Sequence, residues 1–339
     1  MADKSMCYYP FNQMLLQPNG DVSPCCWNQS VKWGNIKSNS LTEIWNSDAA
    51  VRFREEFLSG NPKSCQSQIS QIGCHRWSLR DFDSEIEISA VKTQAPHRLD
   101  VRLNGKCNLE CVMCDVWTQP NGVYTRTDFW SQGPIKFFPF LREIDVLGGE
   151  PFIQPDTYRL IDEISRVNKN CLWSFVTNAQ YKLNHFVISK LDLISIRWLQ
   201  ISLDSLVRET YEIVRAKGRF DLVMETLNQF ISYRQQRALV GRGFLLNVSM
   251  CVQVLNWKEL GTFLDFCEKL QLGPILQFAF GPDRVSLLSL PPSERVMIFE
   301  FVCELRKKHG AVVEPIWAPL ADSLKEVFPI KELSLVKGL

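Results

Sequence analysis

Beyond Pro96 the chain alternates short apolar-rich runs with longer stretches whose apolar residues recur every three or four positions. The first pattern predicts strands and the second helices. Strands are expected at Leu99–Asn104, Glu143–Leu147, Leu172–Thr177, Leu199–Leu203, Leu245–Gln253 and Ile275–Phe280. Helices are expected at Asp156–Val167, Arg208–Val214, Leu222–Arg234, Trp257–Leu270 and Pro292–His309. Such alternation implies parallel strands covered by helices. Six strand–helix units make an α/β fold, a partial (βα)6 TIM-like barrel, whose chemistry belongs at the C-terminal ends of the strands.

The first 95 residues read differently. A strand-like run, Phe11–Leu16, meets the turn signal Pro18-Asn19-Gly20-Asp21, and Val22–Trp27 returns the chain. A hairpin there would bring Cys7 near Cys25. Ser40 and Glu43 form a capping-box pattern that opens a helix, and Asp48–Leu58 reads as a second helix stopped at Gly60. Asp83–Pro96 reads as a linker. The expected division is a small cysteine-rich domain with its linker at 1–95, the partial barrel at 96–311 and a tail at 312–339 with a helical run over Leu320–Val327.

Composition narrows the class. Of 339 residues, 45% are hydrophobic and 22% charged, as in an ordinary globular protein. The net charge of +1 and dispersed basic residues argue against nucleic acid as a partner. Met1–Tyr8 lacks the apolar core of a signal peptide, and no apolar run is long enough for a bilayer, so a cytoplasmic location without membrane contact is expected. Twelve cysteines in that compartment point to metal or reactive thiols rather than disulfides.

Three of them, Cys107, Cys111 and Cys114, sit at Cys-x3-Cys-x2-Cys spacing after the strand from Leu99. Three thiolates on one tight loop can hold three irons of a [4Fe–4S] cluster and leave the fourth iron open. Three buried cysteines, or part of a zinc site, are the alternatives.

With Gly148-Gly149-Glu150-Pro151 at the end of the next strand, this loop resembles the radical S-adenosylmethionine (SAM) superfamily. The resemblance implies a cluster that binds SAM and cleaves it to a 5′-deoxyadenosyl radical. It assigns Gly148, Gly149, Glu150 and Pro151 to the methionyl amino group of SAM. Thr177-Asn178-Ala179 resembles the family's Thr-Asn-Gly, with Ala179 in place of glycine. Asn178 then meets SAM or substrate, or only caps the next helix. Met113 stands where the family usually has an aromatic residue near the adenine; Met113 itself or Trp117 takes that place.

The upstream cysteines resemble the auxiliary-cluster domains called SPASM or twitch, which usually follow the radical SAM core but here precede it. The matching pieces are Cys7-x12-Gly20-x4-Cys25, Gly34-Asn35-Ile36 and Leu41-Thr42-Glu43-Ile44-Trp45-Asn46. That resemblance implies one auxiliary [4Fe–4S] cluster on Cys7, Cys25, Cys65 and Cys74. Cys26 and His75 are the alternate ligands, and zinc on the same four thiolates is the alternative metal.

Strand periodicity puts Gln200, Ser202 and Asp204 on one face, and the polar face belongs inside a barrel. Ser202 and Asp204 are therefore candidates for the carboxylate or ribose of SAM. Arg215 is a candidate carboxylate partner, or a solvent-exposed helix end. Asn247, Ser249, Cys251 and Gln253 alternate with apolar residues in the same way. Cys251 is either a hydrogen donor to substrate, as in some radical SAM epimerases, or a small buried filler.

The expected activity is reductive SAM cleavage followed by hydrogen abstraction. The family resemblance implies a ribosomally made peptide as substrate, oxidised, cross-linked or epimerised, with an electron donor such as flavodoxin or ferredoxin. A small molecule such as a sugar or aminoglycoside is the second reading, and a non-catalytic iron–sulfur or zinc scaffold the third.

Overall fold

The computed structural model describes residues 7–65 and 85–325. Cys74 and His75 lie outside them. The chain divides into two compact units. The first comprises Met1–Cys107, Val116–Phe175 and Asn184–Arg197, and the second Asn108–Asp115, Val176–Leu183 and Trp198–Leu339.

The first unit opens with a short helix, α1 (Tyr9–Asn12), followed by β1 (Gln13–Leu16), β2 (Asp21–Ser23) and β3 (Gly34–Asn35). The run expected as one strand from Phe11 is therefore helix first and strand second. Pro10 near the start of α1 sets a helical φ and has no N–H to lose there. The hairpin forms as read, with β1 antiparallel to β2, and Gly20 at φ +91° makes its turn. Then come α2 (Leu41–Trp45), α3 (Asp48–Leu58) and β4 (Arg98–Val101). The Ser40 hydroxyl accepts the Glu43 N–H at 3.3 Å and the Glu43 carboxylate accepts the Ser40 N–H at 2.8 Å, the capping box read from sequence.

β1 also pairs in parallel with β4, Gln13 opposite Arg98 and Leu16 opposite Val101. The cysteine-rich segment thus extends the same sheet. After β4 come α4 (Phe129–Lys136), β5 (Glu143–Val146), α5 (Pro155–Val167), β6 (Leu172–Thr177) and α6 (His185–Leu191). Within this unit the strand order is β3-β2-β1-β4-β5-β6, parallel from β1 to β6 across β4 and β5. Alternation along β4 sends Leu99 and Val101 into the core and leaves Arg98, Asp100 and Arg102 on the other face. There Asp145 pairs with Arg98, Asp100 with Arg102 at 3.3 Å, and Glu143 with Arg197 at 2.8 Å. Burial opposes the Arg98 charge, but Asp145 outweighs it and the pKa rises.

The stretch read as a linker is fastened at several points. Trp45 Nε1 donates to the Gln94 carbonyl at 2.8 Å, and Asn46 and Lys92 exchange two 2.8 Å hydrogen bonds. Arg54 is fully buried, and its guanidinium donates to three carbonyls: Pro10 at 2.8 Å, Ala90 at 2.9 Å and Trp45 at 2.7 Å. It also lies 4.2 Å over the Trp45 ring, and burial pushes its pKa down.

The second unit contains β7 (Ser195–Ser202, from Trp198 onward), α7 (Arg208–Val214), α8 (Phe220–Leu239), β8 (Leu245–Val252), α9 (Leu260–Lys269), β9 (Gly273–Phe278), α10 (Pro292–His309) and α11 (Glu314–Lys325). β7, β8 and β9 are parallel neighbours in that order. α9 buries Leu260, Phe263, Leu264 and Cys267, a stripe at helical spacing worth about 1.5–3 kcal/mol per large side chain. The α/β class with parallel strands therefore holds. The run read as a single helix from Trp257 begins as a 3-10 turn, Trp257–Glu259, before α9.

Candidate functional site

In the first unit, the β4 chain runs on to Lys106 and Cys107. The Asn104 Oδ1 accepts the Lys106 N–H at 3.0 Å, and Asn104 Nδ2 holds Asp156, at the start of α5, at 2.9 Å. The Lys106 carbonyl accepts from the Glu150 N–H at 2.8 Å and from Gln154 Nε2 at 3.0 Å. Gly148 takes φ +110°, and a Cβ on Gly149 would lie 2.0 Å from that carbonyl oxygen. At these two glycines the strand end comes close to the backbone that leads into the cysteine loop. Glu150 is fully buried, and its Oε1 accepts the Phe152 N–H at 3.1 Å, capping the short turn that Pro151 opens.

In the second unit, the rest of the loop is anchored from two sides. Asn178 Nδ2 donates to Asn108 Oδ1 at 2.9 Å, and Asn108 Nδ2 donates to the Gln180 carbonyl at 2.7 Å. Asn178, read as a cofactor or capping residue, thus holds the cysteine loop. Ala179 adopts φ +55°, the left-handed conformation that glycine takes without strain. From the other side, the Glu110 N–H donates to the Ala216 carbonyl at 3.0 Å and the Val112 N–H to the Val214 carbonyl at 3.1 Å. Glu110 also pairs with Lys217, and Arg284 Nη2 reaches the Val112 carbonyl at 3.1 Å.

Arg215, between those two carbonyls, donates from Nε to Asp204 Oδ2 at 2.6 Å and from Nη1 to the Cys111 sulfur at 3.6 Å. Burial opposes its charge, but Asp204 and Cys111 outweigh it and raise the pKa. Asp204 Oδ1 accepts the Cys251 N–H at 2.7 Å. The Cys251 thiol lies within electrostatic reach of Asp204, Arg215, Cys114 and Cys111, and burial pushes it up to about 12. Ser202 is buried, Met113 half-buried, and Cys114 exposed at the turn where its N–H meets the Cys111 carbonyl at 3.1 Å. Sequence reading missed Asn108, Gln180, Asn256, Arg284 and the Lys106 carbonyl. Their roles depend on partners far along the chain, and no local pattern announces them.

Among the auxiliary candidates, Cys7 and Cys65 are buried and Cys25 half-buried. Asn28 ties two of their turns together. Its N–H donates to the Cys25 carbonyl at 3.2 Å and its Nδ2 to the Ser64 carbonyl at 3.4 Å. Cys26 faces other surroundings. Burial, then Asp100, pushes its thiol up to about 11. Iron–sulfur and zinc ligation both call for cysteine sulfurs of this kind. The donor set fits a cluster: soft thiols on a backbone-anchored loop, with a partly buried cation against one sulfur to offset thiolate charge.

Residues 101–267 match the radical SAM superfamily, and residues 7–68 match the SPASM family, an iron–sulfur cluster-binding domain. The chain therefore carries a radical SAM domain preceded by a SPASM domain. The two domains imply SAM and [4Fe–4S] clusters as cofactors. A curated relative, a probable GTP 3′,8-cyclase of Methanocaldococcus jannaschii, is 25% identical over 190 residues, 53% of this chain and 57% of that protein. The chain spans about half the length of the curated relatives it matches. Among solved structures, Streptococcus suis SuiB bound to the precursor peptide SuiA is 15% identical, covering 79% of this chain and 62% of that one, with a TM-score of 0.44. The structure of anSMEcpe with bound AdoMet and Cp18Cys peptide is 15% identical, covering 63% and 61%, with a TM-score of 0.47. No helix among the described residues is long and apolar enough to cross a membrane.

Proposed function

We propose that this protein is a radical SAM enzyme that takes a hydrogen atom from its substrate. Cys107, Cys111 and Cys114 hold the SAM-binding cluster, and Cys7, Cys25, Cys65 and Cys74 the auxiliary one. When bound, the cluster and SAM together supply one-electron cleavage of SAM to a 5′-deoxyadenosyl radical. The chain's own work is to orient and to exclude. Gly148 and Gly149 leave room only for backbone at the end of β5, and peptide groups there, with the buried Glu150, would hold the amino end of SAM. Asn178 and the 214–216 backbone keep the cysteine loop in one conformation. Ser202 and Asp204 at the end of β7 would face the carboxylate or ribose of SAM, and Met113 would take the adenine side. Cys251, its thiol raised by burial to about 12, would return a hydrogen atom.

The observation that carries this reading is the cysteine loop itself. It lies inside the radical SAM match, and Cys111 is held against the partly buried Arg215 guanidinium. We place the division at 1–95, 96–311 and 312–339 and favour a ribosomally made peptide as substrate, as the SPASM resemblance implies. A small molecule is the second reading, favoured by the GTP 3′,8-cyclases among the curated relatives. Anaerobic reconstitution with iron and sulfide tests the metal assignment. About eight irons per chain are expected, and about four would remove the auxiliary cluster. Unchanged turnover of C251A would remove the hydrogen-donor role.

A further inference from the structure

Arg215 and Asp204 are fixed more firmly than recognition of a carboxylate requires. Asp204 is fully buried and adopts φ +63°. Its N–H donates to the Ser249 carbonyl at 3.1 Å, and its own carbonyl accepts from Asn256 Nδ2 at 2.8 Å. Asn256 also reaches the Cys251 carbonyl at 3.0 Å. The Asp204 carboxylate is then held at both oxygens, by the Cys251 N–H and by Arg215 Nε. Arg215 is in turn held by the backbone on both sides, because Val214 and Ala216 accept from the residues flanking Cys111. Its side chain is 12% exposed and that of Asp204 0%. The guanidinium therefore has one place to be, against the Cys111 sulfur.

We propose that Arg215, positioned by Asp204, sets the reduction potential of the cluster ligated through Cys111. This rests on the reading that Cys111 is a cluster ligand. Reduction adds one electron, and part of that charge falls on the cysteine sulfurs. An N–H donor and a cation held at one sulfur stabilise the reduced form more than the oxidised one. The low dielectric of the site strengthens that preference. Asp204 offsets part of it, so the two residues act with opposite signs.

The test is a redox titration of the reconstituted full chain without SAM, the reduced fraction read by electron paramagnetic resonance. The signal that changes when SAM is then added identifies the cluster concerned. At fixed ambient potential, Arg215→Gln lowers the ratio of reduced to oxidised cluster at least fivefold. Asp204→Asn, which leaves the guanidinium uncompensated, raises it at least threefold. Arg215→Lys keeps the charge without the fork and falls between wild type and Arg215→Gln. A tenfold change corresponds to about 59 mV for this one-electron couple. Unchanged ratios at full iron loading, or shifts of one sign in both variants, overturn the proposal. Should Arg215→Gln not take up iron, Arg215→Lys and Asp204→Asn must still shift in opposite directions, or the proposal falls. Wild-type protein that assembles no cluster overturns the underlying functional reading as well, and missing iron tells that case apart.

Discussion

The backbone carbonyl of Lys106 occupies the space where a side chain on residue 149 would begin: a Cβ on Gly149 would lie 2.0 Å from its oxygen. Backbone cannot yield as the tip of a flexible side chain does. The Lys106 carbonyl is also held by Glu150 and Gln154. Gly149→Ala should therefore part the end of β5 from the cysteine loop. SAM affinity, measured by calorimetry on the reconstituted protein, is expected to fall more than tenfold. Gly60→Ala is the control. Gly60 has φ +74° but nothing within 4 Å, so its substitution should cost only about 1 kcal/mol of stability and leave SAM binding intact.

Arg54 joins α1, α2 and the 86–96 stretch through three carbonyls. Arg54→Met keeps much of the volume but leaves those carbonyls without their donor. The expected loss is at least about 3 kcal/mol in denaturant unfolding, since each of the three orphaned acceptors costs about 1–3 kcal/mol. A loss below about 1 kcal/mol would mean that the first segment is not organised on this side chain.

Much of this was legible in the sequence, and the misses have physical reasons. Arg208–Val214, Pro292–His309 and Asp48–Leu58 fold as helices with the bounds their apolar spacing predicts. The capping box at Ser40 is local and so readable. α4 was not foreseen, because Gly133 and Pro134 both weigh against a helix. Tertiary packing overrides them. Phe129 meets Tyr124 and Phe138 edge-on, and Gly133 leaves room where a Cβ would lie 2.6 Å from the Phe138 ring. The parallel pairing of β1 with β4 joins residues more than eighty positions apart, beyond any local pattern. Strand alternation offers Asp204, and the end of the next helix offers Arg215, but neither pattern says what Arg215 touches. Its contact with Cys111 spans 104 positions.

Burial raises the Cys251 thiol from an ordinary value of 9.0 to about 12. The fold favours the neutral thiol, so this contribution to stability is complete below about pH 9 and is lost as pH rises towards 12. Wild type should lose stability relative to Cys251→Ala across that window, by about 2 kcal/mol at pH 10.5. Unfolding of both proteins at pH 8, 9.5 and 10.5 checks it, and a constant difference would contradict it.

Asn178 holds the cysteine loop through Asn108. Asn178→Ala should cost about 1–2 kcal/mol and speed loss of iron from the reconstituted protein to a chelator severalfold. Asn178→Asp keeps the shape but replaces the donor with an acceptor facing Asn108 Oδ1. It should lose iron at least as fast as the alanine variant.

The central claim is that Cys107, Cys111 and Cys114 carry a cluster that opens SAM. The direct measurement is 5′-deoxyadenosine released when the anaerobically reconstituted protein is given SAM and a one-electron reductant. The wild-type chain should release it and Cys111→Ala should not. No 5′-deoxyadenosine from an iron-loaded wild-type protein, or equal amounts from both, would contradict the account.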